Sequence, residues 1–197
     1  MTLWLGTVRQ WHWISSAICL IGLLLFSVTG ITLNHASQIE AKPVLVQHQR
    51  QLPEPVLQAL QQPKNQQGVP TQLTDWLRQE LDLTLRGGEA EWSEDELYIA
   101  LPRPGGDAWL SLDLTSGDLE YESTDRGWIA YFNDLHKGRH TGAAWSWFID
   151  VFAVLCLVFS ISGLLLLQRH AQGRPTTWPL VGIGLVVPVV LALLFIH

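Results

Sequence analysis

WHWISSAICLIGLLLFSVTGITL, residues Trp11 to Leu33, runs for 23 positions without an Asp, Glu, Lys or Arg. A helix rises roughly 1.5 Å per residue, so such a run meets the ~20 residues needed to cross a ~30 Å hydrocarbon core. Two further runs repeat the pattern: Trp145 to Leu167, whose single charge is Asp150, and Trp178 to Ile196, which has none. The sequence therefore predicts three transmembrane helices, at 11–34, 145–168 and 178–196. Composition agrees, since 48% of residues are apolar, ten are tryptophan and only 15% are charged, against roughly 25% charged in soluble domains. A cleaved signal peptide is the competing reading of the first run. It is disfavoured because the apolar stretch exceeds the usual length of roughly 7–15 residues and LNHASQ offers no small-x-small cleavage site.

Orientation follows from the short flanks. Arg9 lies in the N-terminal segment 1–10, and Arg169 and Arg174 lie in the loop 169–177 between the second and third runs. The positive-inside rule places both segments in the cytoplasm and turns residues 36–144 outward. That outer part holds 17 of the 18 acidic residues against nine bases, a net charge of −8. An anionic nucleic acid is thereby excluded as a partner, while membrane lipid is an obligatory one.

The outer part divides by composition. Residues 35–70 are rich in Gln and Pro and read as an extracytoplasmic linker, with VLQALQQ as a short amphipathic helix at most. From Thr71, TQLTDWLRQEL sets Leu73, Trp76, Leu77 and Leu81 on one helical stripe. GEAEW, ELYIALP, AWLSLDL and LEYEST then follow, joined by SED, PRPGGD and TSGD, which is the signature of an antiparallel meander. The fold class expected is a membrane protein: three transmembrane α-helices with a small extracytoplasmic α+β domain, 71–126, of one main helix and a meander. Residues 127–144 lead the chain back to the membrane and carry NDLHKGRHTG. Both cysteines, Cys19 and Cys156, fall in apolar runs and read as packing residues, not as a disulfide of the outer domain.

A weak internal repeat links the first two helices. Trp11 and Trp13 precede FSVTG (26–30) in one, and Trp145 and Trp147 precede FSISG (159–163) in the other, with spacings that differ by one residue. Antiparallel helices would make this an inverted repeat. Its small and hydroxylated residues, Ser27, Thr29, Gly30, Ser160, Ser162 and Gly163, are expected at the contact between the two helices.

Five of seven histidines cluster at the helix ends: His12 and His170 on the inner side, and His35, His136 and His140 on the outer side. Imidazole ligates haem iron, zinc and copper. Read as one helix, His136 and His140 share a face at i and i+4, so together they form only half of a haem site. His35 is then the expected opposite ligand, and His12 with His170 is the equivalent inner pair. His12 and His35 stand 23 positions apart, about 34 Å along a helix, so sites at the two ends are far apart. A three-histidine zinc or copper site from His35, His136 and His140 is the alternative. Asp150, roughly 8 Å inside the second helix by rise, is expected either to orient a ligating imidazole or to reach the boundary near Asn34. No nucleophile elbow, phosphate loop, zinc-cysteine pair or nicotinamide fingerprint occurs.

RQWHWISSAICLIGLLLFSVTGITLNH, DLTSGDLEYE, DLHKGRHTG and a helix ending SGLLLL together resemble the PepSY-associated transmembrane family, over nearly the whole chain. The resemblance implies a PepSY-like outer domain, a multi-pass bacterial inner-membrane location with that domain periplasmic, and a link to iron uptake. It implies haem b held by membrane histidines, mapping to His12, His35, His136 and either His140 or His170, as in ferrisiderophore reductases that pass electrons to ferric siderophores. Three helices where those reductases have four, and a single small PepSY-like unit, are departures. The other readings are a non-enzymatic anchored binding module, as in PepSY peptidase inhibitors and assembly factors, and an accessory or electron-transfer subunit of a larger complex with partner membrane proteins.

Overall fold

A computed structural model describes residues 6–39, 42–61, 68–85 and 88–196. Three helices in it are long and apolar enough to span a membrane: α1 (Val8–Asn34), and two later ones designated below α5 and α6. Between them come strand β1 (Val44–Gln51), helices α2 (Glu54–Leu60) and α3 (Thr71–Leu81), and strands β2 (Glu89–Trp92), β3 (Glu96–Ala100), β4 (Gly106–Asp113) and β5 (Asp118–Asp125). Helix α4 (Gly127–Lys137) precedes α5 (Gly142–His170) and α6 (Thr177–Phe195). The chain forms two compact units, Met1–Leu25 with Phe148–His197, and Phe26–Trp147.

In the second unit, five antiparallel strands stand in the order β1-β5-β4-β3-β2. The meander β2 to β5 appears where turn chemistry and alternation predicted it. In β4, every residue on the core side is buried, from Ala108 through Leu110 to Leu112, while Asp107, Trp109, Ser111 and Asp113 face the other way. Leu57 and Leu60 of α2 and Leu73 and Leu77 of α3 close over Leu97, Ile99, Leu110, Leu112 and Leu119. At the β4–β5 turn, the Asp113 carboxylate accepts the N–H groups of Ser116 (2.8 Å) and Thr115 (2.7 Å). These bonds hold its pKa below the usual carboxylate value. Because the folded pKa is the depressed one, the turn keeps this contribution at neutral pH and loses it only as acid carries the pH through the lowered value.

The stretch 35–70 is not merely a spacer. It supplies β1, which pairs with β5 from Val44↔Asp125 to Gln51↔Asp118, and α2, which caps the core. Alternation failed to announce β1 because nearly all of its residues are exposed; this is an edge strand, held by backbone bonds. Its glutamines, which read as linker composition, serve as cross-strand partners. Gln47 Nε2 donates to Glu122 (2.7 Å) and Gln49 Nε2 to Glu120 (3.4 Å), so each amide offsets a carboxylate.

In the first unit, α1 meets α5 through Gly22, whose missing side chain admits the Phe152 ring; a Cβ there would collide with that ring. Ser15 and Cys19 are buried in the same seam, and Cys19 lies against Cys156. The close-packing residues of α1 are therefore Ser15, Cys19 and Gly22 instead of the FSVTG segment, and Ser27 and Ser160 point outward. No described residue of α6 is buried, which suits a helix that is apolar on every side.

Leu77→Ala should lower the stability of the sheet domain by about 2–5 kcal/mol, since it empties a fully buried site. Urea unfolding of the detergent-solubilised chain, followed by far-ultraviolet circular dichroism, reads the shift in midpoint.

Candidate functional site

The two F-S-x-[S/T]-G segments of the repeat each receive a histidine. On α5, the His12 ring stacks on Phe159, with centroids 4.9 Å apart and planes 15° apart. Its Nδ1 lies 3.2 Å from the Phe159 carbonyl and 3.1 Å from Ser162 Oγ. A Cβ on Gly163 would stand 3.2 Å from His12 Cε1, so glycine makes the seat. On α1, Phe26 contacts the His136 ring at 4.8 Å, Thr29 Oγ1 lies 2.6 Å from His136 Nδ1, and a Cβ on Gly30 would stand 3.7 Å from His136 Cε1. Positions i, i+3 and i+4 of a helix share one face, which is why the same three residues of each segment serve.

A carbonyl partner fixes the tautomer. A carbonyl only accepts, so His12 Nδ1 carries the hydrogen. The Thr29 hydroxyl lies 3.1 Å from the Phe26 carbonyl and 2.6 Å from His136 Nδ1, so Thr29 and His136 share a hydrogen bond at that nitrogen. His35 Nδ1 donates to the Ile31 carbonyl (2.9 Å) and His170 Nδ1 to that of Leu166 (2.8 Å). In the neutral form the rings of His12, His35 and His170 therefore present a bare Nε2 lone pair, and His136 is held at Nδ1 by Thr29. An Nδ1–H anchored in this way is how proteins orient an imidazole toward a metal.

His140 differs. Helix α4 ends at Lys137, where Gly138 turns left-handed at φ 67°, and His140 itself sits at φ 56°. His136 and His140 are thus not on one helix face, contrary to the i, i+4 expectation; the KGRHTG loop breaks the helix between them. His140 Nε2 accepts from Arg139 Nε at 3.1 Å, which occupies the nitrogen that the other four leave open.

The residues ahead of it form a junction. Asn133 Oδ1 accepts from Thr32 Oγ1 of α1 (2.7 Å). Asp134 accepts from the Gly105 N–H in the β3–β4 turn (2.9 Å) and from Arg126 Nη2 (3.2 Å). The Leu135 carbonyl accepts from Trp145 Nε1 of α5 (2.8 Å), and His136 completes the set on Thr29. Four consecutive residues so bind four places in the fold, and Gly105, at φ 74°, is required because a Cβ would stand 2.8 Å from Tyr131 Cα.

Of the expected pairs, His12 and His170 line one cleft of about 380 Å³ together with Gly163, Leu166 and Leu167. His35 is exposed at the end of α1. Among the described residues, no three of His, Cys, Asp or Glu gather in a way that would hold a metal ion, so His35, His136 and His140 are not assembled as a zinc or copper triad. Asp150 and Asn34 are both exposed, and neither is the hydrogen-bond partner of a histidine described above. The partners that do orient the rings, Thr29 and Ser162, were placed by sequence at a helix contact. The repeat itself was the signal that would have found them.

A family model described as "Putative PepSY_TM-like" matches residues 3–197. No curated protein matches the chain, and no solved structure does.

Asp134→Ala should cost about 1–3 kcal/mol, because it strands the Gly105 N–H and a cation that is only partly solvated. Hydrogen exchange of the full chain would show the loss as faster exchange at Gly105 and in α4.

Proposed function

We propose that this chain, which belongs to the PepSY_TM-like family, carries haem b and supports the reduction of ferric siderophores on the outer side of a bacterial cytoplasmic membrane. The observation that carries the reading is the shared seat: His12 and His136 each rest on an F-S-x-[S/T]-G segment and are held there at Nδ1, which leaves Nε2 as the nitrogen to offer a metal. Such imidazoles fit the ligand preference of haem iron. His12 and His170 would hold it at one cleft, and His136 with His35 would do so at the other end of α1. The haem supplies a one-electron iron couple. The chain's own contribution is to hold the rings, through Ser162 and Thr29, and to surround them with hydrocarbon that excludes water. The charge bias of Arg9, Arg169 and Arg174 argues for a cytoplasmic N-terminus and a periplasmic sheet domain.

A second reading, an anchored binding module, rests on the helix-free face of the sheet. By strand alternation, Glu91, Glu96, Asp107, Glu120 and Glu122 share that face with Tyr98 and Trp109, whose rings stack at 6.4 Å. Arg50 borders it at the β1 edge, in a cleft shared with Gln49, Ser111, Asp113 and Glu120. A cationic partner suits such a surface.

Protein purified after haem-replete expression should show the α-band of a low-spin b haem on reduction. His12→Ala should abolish or weaken the band of one site and His136→Ala that of the other. Ser162→Ala and Thr29→Val should keep haem but shift its reduction potential, because they release Nδ1. A colourless protein sinks the haem reading; if that protein still retains a cationic partner, and loses it on Glu120→Gln/Glu122→Gln substitution, the binding-module reading stands.

A further inference from the structure

On α4 the usual order of burial is inverted. Its two buried residues, Asn133 and Asp134, are polar and 8% and 6% exposed, whereas Trp128 is 76% and Phe132 48% exposed. At roughly 100° per residue, Trp128, Tyr131 and Phe132 share one side of the helix and Asn133 and Asp134 lie on the other. The three rings touch one another, at 5.9 Å for Trp128 and Tyr131, 6.3 Å for Trp128 and Phe132, and 5.6 Å for Tyr131 and Phe132. They make one continuous apolar surface. In water this arrangement is unfavourable.

What covers the surface is given by the bonds on the opposite side. Asn133 and His136 are tied to Thr32 and Thr29 in the last two turns of α1, and Leu135 is tied to Trp145 in the first turn of α5. Both helices are candidate membrane spans. Helix α4 is therefore fixed at the level where two apolar spans end, and its outward face is made of the residue types that populate the membrane–water boundary. We propose that α4 is an interfacial helix whose Trp128–Tyr131–Phe132 face rests on the lipid bilayer, in the zone between head groups and acyl chains. The bilayer then sets the depth of His136, one turn beyond Phe132. The proposal is independent of whether haem is bound.

The test uses the full chain reconstituted in phosphatidylcholine–phosphatidylglycerol vesicles, with a nitroxide at Trp128→Cys, Phe132→Cys or Lys137→Cys in a Cys19→Ala/Cys156→Ala background. Labels at 128 and 132 should collide several-fold more often with oxygen than with a water-soluble nickel chelate, and the label at 137 should do the reverse. Equal nickel access at 132 and 137 would overturn lipid contact. Shielding of 128 and 132 from both reagents would also overturn it, by showing a protein surface or a second copy in that place. Should the background be unstable, Trp128→Phe in the native chain gives a second measurement. It should reduce quenching of tryptophan fluorescence by lipids brominated near the head group, and unchanged quenching would count against the helix lying there.

Discussion

A polar group within a hydrocarbon layer has no water to turn to, so it must find its partner within the protein. Most of the structure around the helix ends follows from that constraint. Each of the four boundary histidines satisfies Nδ1 on a carbonyl or hydroxyl of a helix, either its own or a neighbour's. The buried side chains of Asn133 and Asp134 are likewise paired, on Thr32, Gly105 and Arg126. Satisfying one nitrogen of an imidazole leaves the other bare, so the requirement for internal partners also produces a set of oriented ligands.

The repeat gains a physical meaning from these contacts. Phe, Ser or Thr, and Gly at i, i+3 and i+4 supply a ring to pack against, an oxygen for Nδ1 and the space for the imidazole. FSVTG does this for His136 and FSISG for His12. Ser162 and Gly163 lie at the contact between α1 and α5, as expected, because His12 of α1 meets them there; Thr29 and Gly30 meet His136 of α4 instead, and Gly22 with Phe152 makes a second close approach of α1 and α5.

The legible parts of the fold were those with strong local periodicity. Helix α3 and strands β3 to β5 bury alternating or helically spaced apolar residues, β2 turns Ala90 and Trp92 to the same core, and the turns carry Gly, Asp and Pro where chain reversal needs them. Strand β1 was illegible because an edge strand with both faces open has no burial pattern, and its glutamines pair with Glu120 and Glu122 only once β5 lies beside it. The break between His136 and His140 was illegible for a related reason. Gly138 in a polar loop ends α4, but the same residues are compatible with a continuous helix until Asp134 is committed to Gly105 and Arg126.

By itself the sequence determined the three apolar helices, the α+β domain with its meander, and the placing of histidines at the helix ends. These depend on hydrophobic length and period, which are properties of the chain. Tertiary structure alone decided which nitrogen each histidine presents, that His140 stands apart from His136, that His12 and His170 share a cleft, and that α4 turns its aromatic rings outward. For His12, His136 and α4 those outcomes are set by partners remote in sequence, whereas His35 and His170 bond carbonyls four residues back. The contacts of His136 with Thr29 and of His12 with Ser162 set a ring direction that no local pattern encodes.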